Sequence, residues 1–261
     1  SLNIPVFEVF GQSECTGPHT VSFRHCWKIG TCGRPMKGTE SMLAPSTGEL
    51  CYRGRHIFMG YMYMPDKTAE TIDDEGYLHS GDVAEFDDDV DTDIAGPGGF
   101  MKITGRIKEL IITAGGENVP PVLIENEVKA AMVAVSNCMG VGDKRKFLTM
   151  LVSLKVDPDA EGKPSERLAA DTLFVGEQIG STATTYTEAK EDPKWKDYID
   201  KGVKMANSKT TSNAQIVQKW AWLPVDFSEK AGDLTPTLKL KRSVVAEKYS
   251  DLIESLYAGS D

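Results

Sequence analysis

Near residue 101 the chain changes texture, and that change restricts the folds open to it. Before it, short apolar runs alternate with glycine-rich turns, as in Gly48-Glu49-Leu50-Cys51-Tyr52-Arg53 and Asp82-Val83-Ala84-Glu85-Phe86. Such spacing predicts short strands joined by tight loops. One helix is predicted over residues 65–71, with Pro65 in its first turn. Residues 2–10 are apolar and read as a buried strand. A chain that opens inside a core strand is expected to be a piece of something longer.

After the change, helical and strand periodicities mix. Residues 101–112 contain a strand pair, broken by Gly115-Gly116. Pro120-Pro121 opens a helix through about Val133, with Leu123, Ile124, Val128 and Ala131 on one side. Strands follow near 138–141 and 147–156, joined by the turn at 142–146. Residues 157–192 are polar and give no clear element. From Pro193 a helix carries Trp195, Tyr198, Ile199, Val203 and Ala206 on one face, and residues 220–224 read as a strand. One last helix aligns Val244, Val245, Tyr249, Leu252, Ile253, Leu256 and Tyr257, and Gly259 ends it. The fold class is therefore α+β: a β-rich part over 1–107 and a separate α+β domain over 108–261, with a hinge near 106–108.

Charge narrows the partners. The net charge is −10, and residues 1–107 carry nine Lys and Arg against sixteen Asp and Glu, whereas residues 108–261 carry twenty against twenty-three. A duplex-binding protein shows a basic face, so nucleic acid is excluded as a partner. No apolar run reaches the ~18 residues that span a bilayer. Five cysteines, an odd number without a C-x-x-C pair, read as reduced thiols. The acidic stretch 87–93 fails the calcium-loop pattern, because Thr92 and Gly98 stand where Gly and Glu are required; it reads as a solvated loop.

Four places carry candidate chemistry. In Phe10-Gly11-Gln12-Ser13-Glu14, a strand enters a glycine-broken loop with a hydroxyl beside a carboxylate, suited to a hydrated Mg2+ and a phosphate or to an ordinary strand-end turn. In Gly76-Tyr77-Leu78-His79-Ser80-Gly81-Asp82, one carboxylate at a glycine turn suits vicinal ribose hydroxyls or its own turn amides. Arg106 and Lys108 stand at the domain junction, ahead of Gly115-Gly116, which suits either close ligand approach or a hairpin turn. Finally, 233–242 is a short basic run broken by Thr and Pro, with Lys239 on a turn ahead of the last helix. The histidines His19, His25, His56 and His79 show no metal-ligand spacing and are assigned surface or packing work. No G-x-S-x-G, H-E-x-x-H or P-loop signature occurs.

In order, Phe10 to Glu14, Gly48-Glu49-Leu50 with Arg53-Gly54 and Gly60-Tyr61, Gly76-Tyr77 to Asp82, Gly105-Arg106-Ile107-Lys108-Glu109-Leu110-Ile111, and Leu234 to Arg242 resemble the motif series of the acyl-adenylate-forming enzymes. The stretch from Gly105 to Pro121 is similar to the long-chain fatty acyl-CoA synthetases, the bubblegum subgroup in particular. The chain looks like the C-terminal portion of such an enzyme: the family's phosphate loop and most of its acyl pocket, in the N-terminal half, have no counterpart here. The β-rich part then resembles the end of the large adenylate-forming domain, and 108–261 the small mobile C-terminal domain.

The resemblance implies roles and ligands. Phe10 would lie on adenine with Gly11 beside it, Ser13 would touch the α-phosphate, and Glu14 would ligate Mg2+. Asp82 would hold the ribose hydroxyls, with Arg106 also on the ribose or phosphate, Lys108 would be the hinge, and Gly115 and Gly116 would admit the pantetheine arm of coenzyme A. Lys239 would bridge the fatty carboxylate and the α-phosphate of ATP, later AMP. Phe10 and Ser13 replace the family's usual Tyr and Thr, and Lys108 its frequent Asp. Further expectations are peripheral membrane association, a place in the cytoplasm or on the cytoplasmic face of a membrane, and no turnover by this chain alone.

Overall fold

A computed structural model describes residues 4–87 and 99–259. The chain divides into two compact units, Ser1–Lys108 and Glu109–Asp261.

The first unit is built from antiparallel strands. β1 (Val9–Phe10), β2 (Thr20–Val21) and β3 (Arg34–Pro35) make a small sheet, and β4 (Thr39–Leu43), β5 (Glu49–Gly54), β6 (Leu78–Asp87) and β7 (Phe100–Arg106) make a four-stranded meander. Side chains alternate across a strand, so Leu50 and Tyr52 of β5 meet Leu78, Ala84 and Met101 in the core. Glu49 and Cys51 stand on the opposite face. The helix α1 (Pro65–Thr71) starts at its proline and buries none of its residues.

The register of β6 departs from regularity where the chemistry lies. Glu49 pairs with Val83 and Cys51 with His79, so β6 spends four residues where β5 spends two. The surplus falls at Ser80, Gly81 and Asp82, a bulge that re-aims side chains. Gly81 supplies the left-handed φ of +71° that the bulge needs.

The described part of the segment, residues 4–10, does not form the expected buried strand. Only Val9–Phe10 pair, and Ile4 and Val6 are 68% and 84% exposed. The segment has a hydrogen-bonded neighbour along its edge, but no packed layer among the described residues covers its apolar side chains. The acidic stretch lies, beyond Asp87, outside the described residues.

In the second unit, β8 (Ile111–Ile112) and β9 (Asn118–Val119) form a hairpin ahead of α2 (Pro121–Ala131). The main sheet places β11 (Leu148–Leu154) between β10 (Val135–Val141), antiparallel, and β14 (Val217–Trp222), parallel. Every residue of β11 is buried, the signature of a strand covered on both faces. Leu148, Met150, Val152 and Leu154 face a core shared with α2 and with α5 (Pro193–Asn207), whose Trp195, Ile199, Val203 and Ala206 are buried as their helical spacing requires. Leu151 faces the other way, toward Val245, Tyr249 and Ile253.

Two expectations fall here. Residues 157–192 hold a hairpin of β12 (Val156–Pro158) and β13 (Pro164–Leu168), then α3 (Ala170–Ile179) and α4 (Tyr186–Glu191). Leu168, Val175, Tyr186 and Ala189 are core residues, too sparse in a polar stretch to give a period. The last helix is two, α6 (Arg242–Lys248) and α7 (Ser250–Tyr257), separated at Tyr249. Val245, Tyr249 and Ile253 keep their four-residue spacing across the break, so the apolar stripe conceals it. Among the described residues no helix is long and apolar enough to cross a membrane.

Candidate functional site

In the first unit the loop after β1 and the β6 bulge are tied together. Gln12 Nε2 donates to the Ser80 carbonyl at 2.7 Å and to Asp82 Oδ2 at 3.1 Å, and its own amide oxygen accepts from Tyr52 Oη at 3.0 Å. Asp82, 5% exposed, is a direct cross-strand partner of Arg106, whose Nε lies 3.0 Å from Asp82 Oδ1. The guanidinium itself is largely exposed. The guanidinium of Arg106 and the amide of Gln12 thus hydrogen-bond a buried carboxylate and aim it.

Around this pair, Phe10 is half-buried, edge-on to Tyr52 with ring centroids 6.3 Å apart. A side chain at Gly11 would begin 3.0 Å from the Gly17 carbonyl oxygen, closer than ordinary packing allows. Ser13 is exposed. Glu14 is half-buried, and its Oε1 accepts from Tyr61 Oη at 2.6 Å. That bond holds the Tyr61 phenol above its usual pKa. The structure therefore gathers Phe10, Gly11, Ser13, Glu14, Asp82 and Arg106 in one unit. It adds Gln12, Tyr52 and Tyr61, which sequence reading passed over because their partners lie 40 to 70 residues away. Behind them His19 is buried and stacked on Tyr52 at 4.1 Å, and desolvation with the nearby His56 lowers its pKa to about 4.

The second unit carries Lys239, Gly115 and Gly116 on two hairpins. Residues 234–240 form a tight loop closed by the Leu234–Leu240 bridge and by Thr235 N–H to the Lys239 carbonyl at 2.8 Å. Thr235 Oγ1 accepts the Lys239 N–H at 3.0 Å. Leu238 takes a φ of +59°. Asp233, fully buried at the foot of the loop, is paired with Lys248 Nζ at 2.7 Å. Lys239 is exposed, and among the described residues no carboxylate pairs with it. Arg242 is used internally: Nη1 and Nη2 grip the two carboxylate oxygens of Glu125 at 2.7 and 2.6 Å, and Nε approaches Glu109 at 3.4 Å. Gly115 and Gly116 form the exposed turn between β8 and β9, where Gly116 N–H donates to the Thr113 carbonyl at 2.9 Å and φ is +79°. Lys108 lies in a single helical turn, Ile107–Glu109, at the end of the first unit.

No protein-family model matches the chain. Solved structures do match: the adenylation domain of the carboxylate reductase of Segniliparus rugosus, in complex with AMP and a co-purified carboxylic acid, has a TM-score of 0.64 at 19% identity, covering 100% of this chain and 36% of that one. The corresponding domain from Mycobacterium chelonae gives 0.63 at 21%, covering 97% and 34%. The fold is that of the adenylate-forming enzymes. By sequence, the long-chain-fatty-acid–CoA ligase ACSBG2 of Gallus gallus is 49% identical over 268 residues, covering 100% of this chain and 34% of that protein. The ACSBG2 ligase of Xenopus laevis is 47% identical over 264 residues, and the ACSBG1 ligase of Rattus norvegicus 44% over 263, each over 98% of this chain. The chain is thus a relative of the long-chain-fatty-acid–CoA ligases and spans about a third of their length.

Proposed function

We propose that this chain supplies the ribose-, magnesium- and lysine-bearing part of an ATP-dependent long-chain fatty acid–CoA ligase. The observation that carries the reading is the buried carboxylate of Asp82, fixed by Arg106 and Gln12 beside the Gly11–Glu14 loop. Its oxygens can accept two ribose hydroxyls, as an acidic residue does in dinucleotide sites. Phe10 offers an aromatic face to adenine, and Ser13 a hydroxyl to the α-phosphate.

Mg2+ fits the donors present. It is commonly held by one or two carboxylates together with substrate phosphates, and Glu14 has one oxygen engaged by Tyr61 and a second available. Bound there, Mg2+ would offset phosphate charge. In the first step a fatty carboxylate oxygen attacks the α-phosphorus and pyrophosphate leaves, giving acyl-AMP. Lys239 neutralises the carboxylate and phosphate as they meet, so catalysis is mainly positioning and electrostatics. In the second step the sulfur of coenzyme A attacks the acyl carbon, AMP leaves and the thiol proton goes to solvent. The Gly115-Gly116 turn gives the pantetheine arm close access to backbone, and Lys108 is the pivot between the two arrangements.

The test replaces the matching third of the Gallus gallus ligase with this chain. The chimera is expected to convert a long-chain fatty acid, ATP and coenzyme A to acyl-CoA and AMP. Asp82→Asn should raise the KM for ATP by about tenfold, the value of a lost charged hydrogen bond. The chain alone should show no ATP–pyrophosphate exchange. An active chimera indifferent to Asp82→Asn would remove the ribose assignment.

A further inference from the structure

The face of the meander turned away from its core holds three metal-ligating groups of three kinds. Cys51 and His79 are direct cross-strand partners, and Glu49 lies two residues before Cys51 on the same face of β5. Their donor atoms all fall within 4.8 Å of one another. His79 Nδ1 is 3.0 Å from Glu49 Oε2 and 3.5 Å from Cys51 Sγ. Zinc bonds of about 2.0–2.3 Å in a tetrahedron set ligand atoms roughly 3.3–3.8 Å apart, so small side-chain adjustments suffice to admit an ion.

We propose that Glu49, Cys51 and His79 form a site for Zn2+ or a similar borderline divalent cation, apart from the Mg2+ position at Glu14. The surroundings suit that use. His79 Nε2 lies 3.4 Å from Asp73 Oδ2, so an ion taken by Nδ1 would leave the ring proton on Nε2, facing Asp73. This is the carboxylate–histidine–metal arrangement common around zinc. Glu49 Oε1 accepts the Gly81 N–H at 2.9 Å, leaving Oε2 for the metal and linking the site to the bulge that carries Asp82. Cys51 is fully buried, which keeps its thiol protonated until a cation replaces the proton, released to solvent. His79 is partly exposed, so the fourth position opens to water. The sequence gives no warning of this, since the bulge, not residue spacing, brings position 79 opposite 51.

Cobalt titration of the 261-residue chain with a phosphine reductant tests the proposal. Expected are tetrahedral d–d absorption and a thiolate-to-cobalt charge-transfer band, saturating at one ion per chain and abolished by one equivalent of zinc. Cys51→Ser should remove the charge-transfer band. His79→Gln should weaken zinc binding by at least tenfold, Asp73→Asn by about 10- to 100-fold, and Cys26→Ser should change neither. Absence of a saturable band in the unaltered chain, or its persistence in Cys51→Ser, overturns the site.

Discussion

The Lys239 loop and the start of α6 adjoin in sequence and carry like charge, yet the fold uses them in opposite ways. Arg242 is 18% exposed in its side chain and clamps Glu125, which also accepts the Gly140 N–H at 2.7 Å. Lys239, three residues earlier, projects from a loop braced entirely by backbone and threonine contacts. Sequence reading gives Arg242 a supporting role beside the following helix or nearby phosphates; the structure shows it holding the unit together through Glu125, while Lys239 stays exposed. Planar bidentate geometry suits Arg for that clamp, and a flexible, hydrated ammonium suits an exposed position.

The largest effect expected from breaking this contrast is on stability. Arg242→Ala leaves Glu125 buried without its cation and should cost about 3–5 kcal/mol in urea unfolding; a loss under about 1 kcal/mol would place Arg242 with the ordinary surface charges.

The first unit repeats the contrast in its histidines. His79 is half-exposed between Glu49 and Asp73, and the Glu49 carboxylate chiefly raises its pKa. His19 is buried, its ring Nε2 2.9 Å from Ser41 Oγ, and its pKa is lowered to about 4, chiefly by desolvation. Between the unfolded value of about 6.5 and the folded one, the unfolded chain binds the extra proton. Stability attributable to His19 is therefore intact above pH 6.5 and lost as pH falls toward 4, by up to about 3 kcal/mol. His19→Gln should flatten that part of the stability–pH curve, and a slope unchanged by the substitution would show that another group titrates there.

The smallest expected effect belongs to Lys239 itself. Lys239→Ala should leave urea stability within about 0.5 kcal/mol, as for an exposed residue without special partners. A larger loss would mean that the ammonium is structural after all.

Much of this was readable from sequence where the evidence is local. Pro65 marks the first turn of α1, and the stripe Trp195, Ile199, Val203, Ala206 gives α5; Asp82, Arg106 and Lys239 come from the motifs as candidates. What was hidden depends on register and long-range pairing. A two-residue surplus in β6 against β5 sets His79 opposite Cys51, and a one-residue surplus in β7 at Thr104 sets Asp82 opposite Arg106. Gln12, Tyr52 and Tyr61 acquire their roles only when distant loops meet. Residues 157–192 enter the core through a few apolar side chains in polar surroundings, and residues 4–9 show that apolarity alone does not secure burial.

The most direct measurement separates the two half-reactions in the chimera with the Gallus gallus ligase. With Lys239→Ala, acyl-AMP formation from fatty acid and ATP should fall by about 10²–10³-fold, the scale of losing one preorganised electrostatic contact to the transition state. Thioester formation from supplied acyl-AMP and coenzyme A should stay near that of the unaltered chimera. Equal loss of both steps, or of neither, would contradict the assignment of Lys239 to adenylation.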